Sequence, residues 1–363
     1  MGGKKHFLVF IITSFIIAVM GFTAESQARV TGECANCHTM HNSQDGQLIN
    51  TGGPYDTLLV DNCVGCHSSN TSSTIYTIGS ATVPVVNYTG GTPTEYLAGG
   101  NFWWVATSGG NTDTKGHNVL GISGPDSNLS DGAPGNAFGC TGSCHISLAI
   151  EQSVVPELGS GCEGCHLAPT HHANDEGPVV DDNPPGEGWY RFLSGHYSGD
   201  GYGVSGIEDN DWQATKGSGD HNEYMGFADV HNESAAFYNL NNVVTAFCGG
   251  CHGNFHEENA SSPGASPWIR HPSDAVLPAS GEYAGYTLYD PQVPVARPDL
   301  TGWTGPRETV TPGIDMVMCL SCHRPHGSPN DDLLRWDYAG MIAGGGSNES
   351  GCFVCHTAKD TGG

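Results

Sequence analysis

The stretch CANCHTMH, residues 34–41, decides what kind of fold this chain can have. Two cysteines three positions apart are followed at once by a histidine, and a second histidine stands three residues further on. The unit recurs as CVGCH (63–67), CTGSCH (140–145), CEGCH (162–166), CGGCH (248–252), CLSCH (319–323) and CFVCH (352–356). All 14 cysteines fall into these seven pairs and none is left over. A zinc ribbon has no need of a histidine at the same offset every time, and a disulfide framework has no need of one at all. The repeated unit reads as covalent c-type haem attachment. The thiols of Cys34, Cys37, Cys63, Cys66, Cys140, Cys144, Cys162, Cys165, Cys248, Cys251, Cys319, Cys322, Cys352 and Cys355 form thioethers to the porphyrins. His38, His67, His145, His166, His252, His323 and His356 bind the irons.

The third unit has one extra residue between its cysteines. Positions three and four apart both project from one helix face, so Cys140 and Cys144 can still reach both vinyl groups. The other reading of that pair is a structural disulfide with His145 incidental.

Composition supports a core that is not made of side chains. Past residue 28, Leu, Ile, Val and Phe make up about 17% of the chain, below the roughly 20% under which a highly charged chain is usually disordered. The 53 glycines and long polar stretches such as 67–138 and 172–220 show no helical periodicity. A compact domain of this length has a radius of gyration of about 20 Å, so seven macrocycles inside it pack against one another. The expected fold is mostly irregular coil with short helices at the CxxCH sites, a haem-packed core and little sheet. The apo chain should be largely unfolded.

The N-terminus pairs Lys4 and Lys5 with an apolar run from Phe7 to Phe22 and then Ser26-Gln27-Ala28. That is the layout of a cleavable secretory signal, residues 1–28, leaving residues 29–363 as one continuous heptahaem region. No other run is long and apolar enough to span a membrane. The net charge of −26 argues against nucleic acid as a partner and implies strong self-repulsion in any assembly.

Function turns on the sixth iron ligand, because a haem with an open position can bind and transform a small molecule, whereas one with two protein ligands mainly transfers electrons. Ten histidines past residue 28 lie outside the attachment motifs: 41, 117, 171, 172, 196, 221, 231, 256, 271 and 326. The candidate distal ligands are His41, His117, His171, His172, His221, His256, His271 and His326. Four of these segments sit just beyond an attachment histidine: His41 after His38, His326 after His323, His256 after His252, and His171 with His172 after His166. A histidine held there is well placed to reach an adjacent haem. His196 and His231 read as ordinary hydrogen-bonding residues. Methionine ligation would raise potentials, but histidines are in surplus over Met40, Met225, Met316, Met318 and Met341. All seven haems are therefore expected to be bis-histidine, low-spin and low-potential.

No attachment motif carries lysine in the histidine slot, CxxCK, which marks the catalytic haem of pentahaem nitrite reductases. An electron-transfer protein rather than an enzyme is expected. NFWWV (101–105) offers two tryptophans that could cover a haem face or simply pack. Asp181-Asp182 and Glu208 to Asp211 read as solvated acidic loops rather than calcium sites.

With these motifs in view, CHTMHNSQ (37–44), KGHN (115–118), IRHP (269–272) and CLSCHRPHGS (319–328) closely resemble the OmcS-type outer-surface multihaem cytochromes of metal-reducing bacteria. YRFL (190–193), GIEDNDW (206–212) and DHNEY (220–224) resemble related multihaem cytochromes of such organisms. The chain departs from that six-haem pattern in its seventh site, in the CxxxCH spacing of the third, and in the double histidine ending the segment 162–172. The resemblance implies a head-to-tail homopolymer outside the cell, in which His41 completes a haem of the neighbouring copy, the one held by Cys319, Cys322 and His323. Such a filament would pass respiratory electrons to metal oxides, electrodes or other cytochromes. The alternative is a discrete periplasmic or surface electron shuttle with His41 bound inside its own chain. A reductase with one open haem is a third reading.

Overall fold

The computed structural model describes residues 30–359, apart from 72, 96, 107–112, 129–146, 152–160, 168, 174–176, 183–187, 195–202, 213–216, 229–241, 250, 253–270, 272 and 346–349. Regular structure is sparse and short, as the lack of periodicity requires. Three of the helices lie on attachment motifs, at Cys63–His67, Cys319–Cys322 and Cys352–Cys355. Val244–Gly249 runs into a fourth motif, and Cys34–Asn36 and Gly161–Gly164 form tighter 3-10 turns at two more. In each described motif one turn of helix suffices, because it puts both sulfurs on one side. Among the described residues no helix is long and apolar enough to cross a membrane.

The strands are mostly two residues long. β1 (Ser43–Gln44) pairs with β2 (Gln47–Leu48), β3 (Ser68–Ser69) with β6 (Asn87–Tyr88), and β4 (Ile75–Ile78) with β5 (Ala81–Pro84). Six further strands make one sheet that the sequence did not announce: β7 (Val179–Val180), β8 (Gly206–Ile207), β9 (Glu223–Met225), β10 (Ala275–Val276), β11 (Ala296–Arg297) and β12 (Met316–Val317). Their order is β10-β12-β11-β9-β8-β7, with only the β9–β11 pair parallel. Strands this short carry no alternation long enough to be read from sequence.

The sheet separates two small apolar clusters. On one side Tyr190, Val204, Tyr224, Met316 and Met318 pack with Cys248 and Cys319. On the other Tyr286, Tyr289, Val295, Val317 and Trp336 pack with Cys322, Cys352 and Cys355. Burying one such side chain is worth about 1.5–3 kcal/mol. In both clusters the apolar groups end at attachment cysteines, so the side-chain core and the haem-bearing surface are continuous.

A buried ionic network ties the sheet together. Glu223 on β9, fully buried, accepts hydrogen bonds from Arg297 Nε on β11 at 2.8 Å and from the Arg307 backbone at 2.8 Å. Arg297 also pairs with Asp315, next to β12. Burial alone would raise the Glu223 carboxyl, but the hydrogen bonds from His221 and Arg297 outweigh it and hold the group below its ordinary value.

Candidate haem-binding sites

Two imidazoles on opposite faces of one iron, each with a metal–nitrogen bond of about 2 Å and that nitrogen about 1.1 Å from its ring centre, put the centres about 6.2 Å apart. Five histidine pairs meet that requirement. His38 faces His172 at 6.2 Å, His67 faces His171 at 6.3 Å and His166 faces His326 at 6.1 Å. His252 faces His117 at 5.9 Å and His356 faces His271 at 6.2 Å. Each pair joins one attachment histidine to one spare. The rings are too far apart for contact and too regularly spaced for chance, and an iron fits between them.

The state of these rings suits the same group. An iron ligand must be a neutral imidazole, and burial pushes His252 down to about 4 and His326 to about 3. Burial also lowers His67, His117, His166 and His171.

Attachment histidines are oriented through Nδ1, which leaves Nε2 for the metal. His38 Nδ1 donates to the Thr57 carbonyl at 3.0 Å, His166 to Arg191 at 2.8 Å and His323 to Asp332 at 2.8 Å. These three acceptors occupy the same place in one recurring turn, DTLL (56–59), YRFL (190–193) and DDLL (331–334). In each, two consecutive non-glycine residues are left-handed: Thr57 and Leu58, Arg191 and Phe192, Asp332 and Leu333. Each such residue costs about 1–2 kcal/mol, so the conformation persists only where its surroundings enforce it. The turn closes by a bond from Leu59 to Asp56, from Leu193 to Tyr190 and from Leu334 to Asp331, at 3.1–3.2 Å. This device was missed from sequence, although the paired Leu-Leu or Phe-Leu after a polar residue, three times over, was a signal. His67 uses the Pro84 carbonyl at 3.1 Å, and among the distal ligands His117 uses Pro325 at 2.8 Å.

The segment CHRPH thus serves three sites. His323 belongs to its own unit, His326 faces His166, and the Pro325 carbonyl orients the ligand facing His252. It is held against residues 99–101 by a crossing so close that a Cβ on Gly100, at φ +86°, would lie 2.0 Å from the Gly327 carbonyl. Phe102 then stacks on His326 at 4.6 Å, whereas Trp103 and Trp104 pack edge to face on each other. The aromatic that touches a ligand is therefore the phenylalanine of NFWWV.

The described units follow one another in sequence order. Cys37 lies within electrostatic reach of Cys66, and Cys63 lies close to Cys162. Cys165 lies near Cys248 and Cys251, Cys248 lies close to Cys319, and Cys322 lies near Cys352. His171 and His172, adjacent in sequence, reach the first two units and brace them together.

Other residues singled out from the sequence stand as follows. His221 faces no second histidine among the described residues: its Nε2 lies 3.0 Å from Glu223 Oε1, its Nδ1 lies 3.4 Å from the Gly217 carbonyl, and its ring stacks on Tyr289 at 3.5 Å. Both nitrogens are taken and the side chain is fully buried in the ionic network. In the acidic stretch 208–211, Asp209 and Asp211 come together with Asp220, their carboxylates within 4.8 Å of one another. Cys140, Cys144, His145 and His256, with His196 and His231, lie outside the described residues.

His41 and His323 form a separate case. Both are exposed, and among the described residues no histidine ring faces either. His41 stands on a left-handed corner, φ 58°, followed by Asn42 at 62°. The corner is clamped by buried Asn42, which donates to the Asn50 carbonyl at 2.6 Å and accepts from the Asn50 backbone at 3.0 Å.

Comparisons with known proteins agree with this chemistry. The family model for the doubled CXXCH motif matches residues 313–361, the stretch holding the last two units. Over 369 aligned residues the chain is 25% identical to the C-type cytochrome OmcS of Geobacter sulfurreducens, covering 85% of this chain and 79% of that protein. In three dimensions it resembles the outer membrane cytochrome S filament of Geobacter sulfurreducens, with a TM-score of 0.52 at 21% identity, over 87% of this chain and 86% of that one. In sequence along most of its length and in its coil-rich fold, the chain resembles the OmcS-type multihaem c-type cytochromes.

Proposed function

We propose that this chain carries seven bis-histidine c-type haems in close series and works as the subunit of an extracellular cytochrome filament. It delivers respiratory electrons to external acceptors. The observation that carries the reading is the set of five histidine pairs with ring centres 5.9–6.3 Å apart, on units that neighbour one another in sequence order. Iron with both axial positions filled by protein exchanges electrons and binds no substrate, and haems packed edge to edge hand electrons along.

Polymerisation is supported by what is exposed. Among the described residues neither His41 nor His323 has a facing ring, and a second copy supplies each with the other. Around His41 stand Met40, 70% exposed, and Leu48, 65% exposed, and past His323 stand Tyr338, 71%, and Ile342, 64%. Apolar contact and a coordinate bond would together offset the repulsion between subunits of net charge −26. The relative seen as a filament points the same way. His41 to His323 is a heterologous contact and need not close into a ring. The remaining unit, at Cys140, Cys144 and His145, takes its distal ligand from the spare histidines, with His256 the candidate.

The test is the mass of the intact haem-loaded chain together with its ferric EPR spectrum. Seven haems per chain with only low-spin signals is the expected result. A smaller haem count, or a substantial high-spin signal, would sink the all-bis-histidine reading and raise that of a reductase.

A further inference from the structure

Four described attachment histidines, His38, His67, His166 and His323, direct Nδ1 at a neutral backbone carbonyl. The last unit differs. His356 Nδ1 lies 3.3 Å from Oε1 of Glu282, a side chain only 16% exposed, so water screens the charge weakly. Glu282 sits in the 3-10 turn Gly281–Gly285, packed on the helix Cys352–Cys355. Its backbone carbonyl is held by the Thr357 hydroxyl, and the neighbouring Tyr283 ring stands edge-on to His356 at 5.1 Å. The carboxylate is therefore fixed on the imidazole from both sides of the sequence.

We propose that Glu282 is a positioning residue that sets the reduction potential of the haem held by Cys352 and Cys355 below those of the units whose histidines bond to carbonyls. This rests on the reading that His356 binds the iron of that haem. An anionic acceptor draws the Nδ1 proton toward itself, the ring gains imidazolate character, and Nε2 becomes a stronger donor to iron. A stronger donor favours the ferric form, which carries one more positive charge, and the nearby carboxylate favours it again. Lys359 opposes the effect from 3.9 Å at the other oxygen, but its side chain is 55% exposed and its charge is largely screened. Because this unit borders the one at Cys319 and Cys322, the series ends on a rung that is harder to reduce than its neighbour.

The substitution that isolates the charge is Glu282→Gln, which keeps an acceptor of the same shape and makes it neutral, like the carbonyls of the other units. The haem-loaded wild type and variant are titrated spectroelectrochemically, with haem attachment checked by peptide mass and the ligand set by EPR. The expected result is that one single-haem component moves to more positive potential while the rest superimpose, and that one set of g values changes with no loss of haem. Superimposable titrations from a fully loaded variant would overturn the proposal. Should Glu282→Gln fail to load, Glu282→Asp withdraws the charge by one methylene and should shift the same component in the same direction; an unchanged curve there overturns it equally. A wild type without haem on Cys352 and Cys355 would bring down the underlying reading and the proposal with it.

Discussion

Replacing His326 with alanine removes the facing ring from the fourth unit and leaves the attachment motif of that unit intact. The site suits the purpose because His326 comes from a distant segment and holds its backbone through a bond from its amide to the Gly99 carbonyl at 2.7 Å, which alanine keeps. The wild-type rings stand 6.1 Å apart, the separation that an iron held between them would need. Its loss opens a space bounded by Phe102, which stacks on the ring at 4.6 Å, and a truncation of this kind costs about 2–5 kcal/mol. The covalent haem stays. One iron per chain should turn high-spin when oxidised and bind carbon monoxide when reduced, against none in the wild type, and its potential should rise as a ligand is lost. Added imidazole should refill the space and restore the low-spin spectrum. The assay is carbon monoxide titration of the dithionite-reduced protein, alongside ferric EPR. A fully loaded variant that stays low-spin and takes up no carbon monoxide would refute the pairing of His166 with His326.

Two further substitutions probe the frame around the sites. His221→Gln should leave every haem six-coordinate and the EPR spectrum unchanged, because His221 serves Glu223 and not an iron; a new high-spin signal would return it to the ligands. Arg297→Met should lower the urea midpoint of the haem-loaded protein, since it strands Glu223 and Asp315 as buried carboxylates, at a cost of about 3–5 kcal/mol; an unchanged midpoint would show that the network carries little of the sheet.

What could be read from the sequence was the covalent chemistry. Seven CxxCH-type motifs are local, and local spacing fixes which thiols and which imidazole share a site. The double histidine at 171–172, His326 in CHRPH, His117 and His271 were also legible as candidate ligands from their excess over the motifs. Their assignment was not, because partners such as His117 and His252, or His271 and His356, are brought together by loops with no periodic signal. The six-stranded sheet escaped for the same reason, each strand being too short to alternate. His221 shows a signal overlooked: His-x-Glu on an extended segment puts both side chains on one face. There the Glu223 carboxylate lies 3.0 Å from the imidazole. The left-handed turns at DTLL, YRFL and DDLL were visible as a repeated string but acquire meaning only when their carbonyls are seen on the attachment histidines.

In the proposed filament a second copy completes the haem whose ligand in this chain is His323. Cryo-electron microscopy of the haem-loaded protein released from the cell surface tests it most directly. The account predicts a filament in which density from His41 of one copy reaches the iron of the haem on Cys319 and Cys322 of the next, with an unbroken line of porphyrins across the junction. Discrete particles with every iron fully ligated inside one chain, or a filament in which His41 points to solvent, would contradict it.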